Sequence, residues 1–133
     1  MEETAAPLSK LRNTKVTILV VEDHFMTRWA AARYLRHAGF KVMEAVDSTE
    51  AMGLAASGLP ISAVFSDVSL GSGPTGHELA DWFAKHRPSV PVLLTSGEDY
   101  TNEVKPSPIR RFLRKPYDLG QVDQLLRAML EVS

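Results

Sequence analysis

The chain has 133 residues, of which 44% are hydrophobic and 23% charged, with a formal net charge of −1 and no cysteine. That length suits one domain with a single core, and the balance is that of a folded globular chain rather than a disordered one. The near-neutral charge gives no global pull toward nucleic acid or anionic membrane, and without cysteine there is neither a disulfide nor a thiolate metal site.

Residues 1–14 are polar and mixed in charge and read as a flexible leader, leaving one domain over 15–133. No apolar run approaches the ~20 residues of a membrane span, and the leader lacks the apolar stretch of a signal peptide. A cytoplasmic location is the expectation. "KVTILVVED" (15–23) is a near-continuous β-branched run, the mark of a strand buried on both faces. "TRWAAARYLRHAGF" spaces Trp29, Ala32, Leu35 and Ala38 as one helical face and ends on Gly39. "KVMEAV" is a short second strand, and "DSTEAMGLAASG" a helix opened by Asp47 or Ser48 and closed by Gly58. "ISAVFSD" is the third strand. "GHELADWFAKHRP" is a helix with Leu79, Trp82 and Phe83 on its apolar face, stopping before Pro88. "VPVLLTSG" and "IRRFLRK" are the fourth and fifth strands. "DLGQVDQLLRAMLEV" is a last helix along Leu119, Val122, Leu125, Leu126 and Met129. Strands alternating with helices call for a doubly wound α/β fold, a five-stranded parallel sheet with helices on both faces.

Open sheets of this kind bind ligands at the carboxyl ends of their strands. Those ends carry Glu22 and Asp23 on strand one, Asp67 on strand three, Thr95, Ser96 and Gly97 on strand four, and Lys115 before Pro116 on strand five. Two carboxylates ~4 Å apart repel by about 4 kcal/mol at an effective dielectric near 20, so such a gathering of acids calls for a cation. With oxygen donors only, Mg²⁺ fits best. Asp67 is then the candidate nucleophile, since carboxylates form aspartyl-phosphates, and metal and lysine would neutralise the transferring group. The glycines of "SLGSGPTG" are expected to keep the rim open to a bulky donor and to let a backbone carbonyl, that of Ser69, turn toward the metal.

The ordered set "VVED", "FSDVSLGSGPTG", "LLTSG" and "FLRKPY" resembles the receiver domain of two-component response regulators over about residues 15–132. The resemblance implies a flavodoxin-like fold and a role in a phosphorelay. It makes Asp67 the phosphoacceptor, served by the phosphohistidine of a sensor histidine kinase or a histidine phosphotransfer protein. Glu22 and Asp23 match the acidic pair that holds Mg²⁺ with Asp67 and the Ser69 carbonyl. Lys115 matches the lysine that contacts the phosphoryl group, and Ser96 and Phe112 match the hydroxyl and aromatic of the switch. It also implies a cis peptide bond before Pro116, which only X–Pro makes cheap. Phe112 stands where many relatives carry Tyr, and an inward, buried ring is expected even without phosphate.

Two departures bear on that resemblance. "SGEDYTNEVKPSPIRR" leaves room for at most two helical turns, near 99–104, between the fourth and fifth strands, because Pro106 and Pro108 follow. Pro74 also sits later in its loop than the family's usual proline. The resemblance implies an unknown downstream protein partner and a monomer or weak homodimer, while the near-neutral charge and the lack of a recognition helix or a span lead to the expectation of no nucleic acid or membrane partner. Alternatives stay open: a receiver excised from a hybrid histidine kinase, a pseudo-receiver acting only as a binding module, or an enzyme with an aspartyl nucleophile. For the last, haloacid dehalogenase-like enzymes place an Asp-x-Asp on the first strand, where this chain has adjacent acids. His24, His37, His77 and His86 show no converging ligand spacing, and Trp29 and Trp82 read as core.

Overall fold

The computed structural model describes residues 16–98 and 107–132. Within them the chain runs β1 (Thr17–Val21), α1 (Phe25–His37), β2 (Lys41–Ala45), α2 (Ser48–Ala56), β3 (Ala63–Asp67), α3 (Gly76–His86), β4 (Val92–Ser96), β5 (Arg110–Arg114) and α4 (Leu119–Val132). All strands pair in parallel, in the order β2-β1-β3-β4-β5. The leader and the short helix expected near 99–104 lie outside the described residues.

The continuous apolar runs are buried on both sides because each central strand divides its side chains between two cores. Leu19, Val21, Val64, Val92 and Leu94 pack with Ala51 and Ala55 of α2 and Leu79, Ala80 and Phe83 of α3. Ile18, Val20, Ala63, Phe65 and Leu93 face Ala31 and Leu35 of α1 and Val122, Leu126 and Met129 of α4. Strand periodicity of two does this without further instruction.

Local chemistry fixes the helix ends. The Thr75 hydroxyl and Glu78 carboxylate form a reciprocal capping box on α3, and Asp118 and Gln121 exchange the equivalent pair of bonds at the start of α4. Asp47 caps α2 by accepting from the Glu50 N–H at 2.8 Å. The cap of α1 is His24, whose ring nitrogen accepts from the Thr27 N–H at 3.4 Å. Gly39, at φ 108°, turns the chain out of α1.

The reading of Trp29 as core is corrected. It is 44% exposed, because Ala31, Ala32 and Leu35 already fill the sheet-facing stripe, and its indole lies under the Arg33 guanidinium at 5.4 Å. Trp82 is only partly buried; it packs edge-on to Phe83 at 5.2 Å and stacks on His86 at 4.4 Å.

Candidate functional site

The parallel register brings the strand ends level. Val21 pairs with Ser66, Asp67 with Thr95, and Ser96 with Arg114, so the residue following β1 and those closing β3, β4 and β5 share one rim. Two ladder bonds continue past the strands and carry the functional residues with them: Glu22 N–H donates to the Ala45 carbonyl at 3.0 Å, and Lys115 N–H to the Ser96 carbonyl at 2.9 Å.

Asp67 closes β3 and is 7% exposed. Its Oδ2 accepts from the Lys115 ammonium at 2.8 Å, and its Oδ1 accepts from the Ser69 N–H at 3.2 Å. A buried carboxylate is tolerated only when paired and hydrogen-bonded, and both conditions are met here. The Lys115–Pro116 peptide bond is cis. Glu22, also 7% exposed, accepts from the His24 N–H at 2.9 Å. Its backbone carbonyl is held by the Arg28 guanidinium at 3.0 Å, which also reaches Glu44 on β2 at 3.3 Å.

Burial pushes the Glu22 carboxyl up to about 7. The His24 N–H opposes that rise, the Asp67 charge and a hydrogen bond with Asp23 add to it, and the Lys115 charge lowers it slightly. Tyr117 follows the cis proline, and its ring meets Phe65 edge-on at 5.9 Å. Burial first, then the charges of Glu22 and Asp67, raise its hydroxyl to about 12. Asp23 is exposed, beside the returning β3–α3 loop: a β-carbon at Gly71 would stand 3.4 Å from its Oδ2.

Ser96 is buried, and its hydroxyl accepts from the Glu98 N–H at 3.1 Å. Phe112 is partly buried against the core that contains Leu94. Glu22, Asp23, Asp67, Ser69, Ser96 and Lys115 thus meet at one end of the sheet, with Phe112 a step below on β5. Among the described residues, no three acidic or histidine side chains form a metal cluster by themselves. Asp67 instead engages Lys115 and the Ser69 N–H, and Glu22 engages the His24 N–H and hydrogen-bonds with Asp23. Such a donor set, rich in buried acid but with few free carboxylate oxygens, fits a hard ion that keeps most of its water.

The glycine-rich loop is anchored at two points, while Ser69, Gly71, Ser72 and Gly73 are exposed. Val68 and Leu70 are each 3% exposed and belong to the α2–α3 core, so the first half of the loop is pinned. Gly71 and Gly73, at φ 73° and 89°, supply the turn that brings it back to α3. Arg28, His24, Tyr117 and Gly76 join the site without having been singled out for it in the sequence. A capping His and a glycine needed for close approach have no local sequence signature.

Comparison with known proteins shows the family. Residues 18–127 match the family model of the response regulator receiver domain. A cyclic di-GMP phosphodiesterase from Thermotoga maritima is 32% identical over 78% of this chain and 28% of its own length. The receiver domain of the hybrid histidine kinase CckA superposes with a TM-score of 0.72 at 31% identity, covering 86% of this chain and 98% of that one. A response regulator receiver protein from Sinorhizobium medicae gives a TM-score of 0.81 at 24% identity, covering 87% and 94%. This chain belongs to the response regulator receiver family of two-component signalling, a family of signalling modules rather than classical enzymes, and its sheet is the flavodoxin-like receiver fold. It spans about a quarter of the length of the curated relatives it matches. Among the described residues no helix is long and apolar enough to cross a membrane.

Proposed function

We propose that this domain accepts a phosphoryl group on Asp67 from the phosphohistidine of a kinase or phosphotransfer protein and thereby switches a protein-binding surface. The observation that carries the reading is the Asp67 carboxylate at the end of a central strand, one oxygen on the Lys115 ammonium at 2.8 Å and the other on the Ser69 N–H. An Asp67 oxygen attacks phosphorus, the P–N bond breaks, and the imidazole leaves with that electron pair. Lys115, already paired to Asp67, is placed to share the negative charge of the incoming oxygens.

Glu22, Asp23, Asp67 and the Ser69 carbonyl would hold Mg²⁺, which when bound neutralises phosphoryl oxygens. After transfer, about −1.5 to −2 charge and three acceptor oxygens stand on the rim. The Ser96 hydroxyl turns to donate to one of those oxygens, and the Phe112 ring, already partly buried, fills the space that it leaves. A protein donor is supported by the first turns of α1, where Phe25, Met26 and Trp29 are 60%, 58% and 44% exposed next to Asp23. Apolar groups clustered in this way beside a reactive rim mark a contact surface. The phosphodiesterase activity of the T. maritima relative stays with that protein, most of whose length has no counterpart here.

Incubation with acetyl phosphate and Mg²⁺ tests the reading by intact mass. The gain of one phosphoryl group, lost in Asp67→Asn and on chelating the metal, is expected. No gain in the wild-type chain would leave a binding module without phosphorylation, and turnover of the donor without a labelled chain would indicate an enzyme.

A further inference from the structure

The start of α3 rests on the backbone of Asp67. Gly76 N–H donates to the Val68 carbonyl at 2.8 Å. A β-carbon on Gly76 would overlap the Asp67 carbonyl oxygen and stand 2.9 Å from the Val68 Cα and 3.0 Å from the Asp67 carbonyl carbon. Real β-carbons do not approach backbone so closely, and backbone on both sides cannot swing aside as a flexible side chain would. Gly76 is itself buried.

This contact is held from behind as well. The Ser48 side chain, fully buried at the start of α2, donates to the Thr75 carbonyl at 3.3 Å, and Thr75 closes the capping box that fixes the first turn of α3. Leu70, in the core, limits how far the intervening loop can give. The Asp67 peptide is therefore seated between its own β-ladder, where Val68 N–H donates to the Thr95 carbonyl at 2.9 Å, and the end of a capped helix.

We propose that Gly76 is a positioning residue for the phosphoacceptor, with Ser48 supporting it through Thr75: the bare first turn of α3 is the stop that sets the Asp67 peptide, and so the carboxylate's aim at Lys115 and at the incoming phosphorus. The proposal rests on the reading of Asp67 as the phosphoacceptor. Geometry is the reason for the strength of the effect. A methyl group here pushes on the peptide of the reacting residue, and displacements on the order of 1 Å cost about a hundredfold where near-attack alignment matters.

The test compares Gly76→Ala, Ser48→Ala and, as a control, Gly53→Ala, whose β-carbon would meet nothing within 4 Å. Each variant is checked for folding by urea denaturation. The rate of labelling by acetyl phosphate at saturating Mg²⁺ is then measured beside the apparent donor constant, so that aim at the reacting atom separates from donor binding. Gly76→Ala is expected to lower the maximal labelling rate at least tenfold with the donor constant little changed, Ser48→Ala two- to fivefold, and Gly53→Ala not at all. The ¹⁵N–¹H amide signals of Val68 and Ser69 should shift in the first two and stay put in the control, which general destabilisation would not produce. Wild-type labelling rates in folded Gly76→Ala overturn the proposal. Should Gly76→Ala fail to fold, Ser48→Ala decides: a slowed maximal rate supports the proposal and an unchanged one overturns it. Absence of labelling in the wild-type chain would instead overturn the assignment of Asp67.

Discussion

The centre and the edge of the sheet make different contributions to the same site. β1, β3 and β4 are buried along their whole length, and they deliver Glu22, Asp67 and Ser96, each at most 7% exposed. β5 lies at the edge, its residues half-buried or exposed, and leads into Lys115, whose side chain is 37% exposed against 8% for that of Asp67. Asp67 and the neighbouring Glu22 are thus fixed by the core, while the cation paired with Asp67 comes from a strand with one open side, on a long flexible stem. A carboxylate cannot stay buried without a partner, and under the proposed function an ammonium that shares charge with an arriving group benefits from access to solvent and room to shift.

That contrast can be broken or sharpened by substitution. The largest effect is expected at the centre: Leu94→Ala should cost about 3 kcal/mol by urea denaturation, whereas Leu113→Ala on β5 should cost about half as much. Equal losses would erase the distinction between the two regions. Lys115→Ala should slow labelling by acetyl phosphate by roughly 10–100-fold, with Lys115→Arg recovering part of the rate because charge, not shape, is the main requirement. A Lys115→Ala protein that labels normally would remove the edge strand from the chemistry.

A smaller effect is expected from Glu22. Its carboxyl titrates near 7 in the folded chain against an ordinary value of 4.5, so between those values the folded state holds a proton that the unfolded chain has released. Stability contributed by this group should therefore fall as pH rises from about 4.5 through 7, by roughly 1–3 kcal/mol in metal-free buffer. Glu22→Gln should flatten that slope, and an unchanged profile would show that Glu22 ionises normally. The smallest effect is at the start of β5, away from the site, where Arg110 meets Asp81 at 2.9 Å with the acid 72% exposed. Arg110→Ala should change stability by less than about 0.5 kcal/mol.

What was legible in the sequence follows the same division. Buried parallel strands announce themselves as short runs that do not alternate with charged residues, and "TILVV" and "VLLTS" needed nothing more. Their ends follow from the runs, so the sequence alone puts the acids at 22, 23 and 67, and the lysine at 115, on one rim. Helical faces were harder, because spacing reveals a stripe but not how much of it the sheet needs. Trp29 lies on the stripe yet remains outside, since the small Ala31 and Ala32 bring the backbone close and leave an indole no room. The loop after Asp67 was read from its glycines, while Val68 and Leu70 decided its course. Contacts such as Gly76 against the Asp67 carbonyl arise only when distant segments meet, and no local pattern encodes them.

Ser72 stands exposed at the tip of that loop, between the buried Leu70 and the seated Gly76. The chain contains no cysteine, so Ser72→Cys would create a single thiol at a point between two segments that pack beside Asp67. A dye attached there would give the protein a built-in optical gauge, whose emission follows the rim from outside without occupying it.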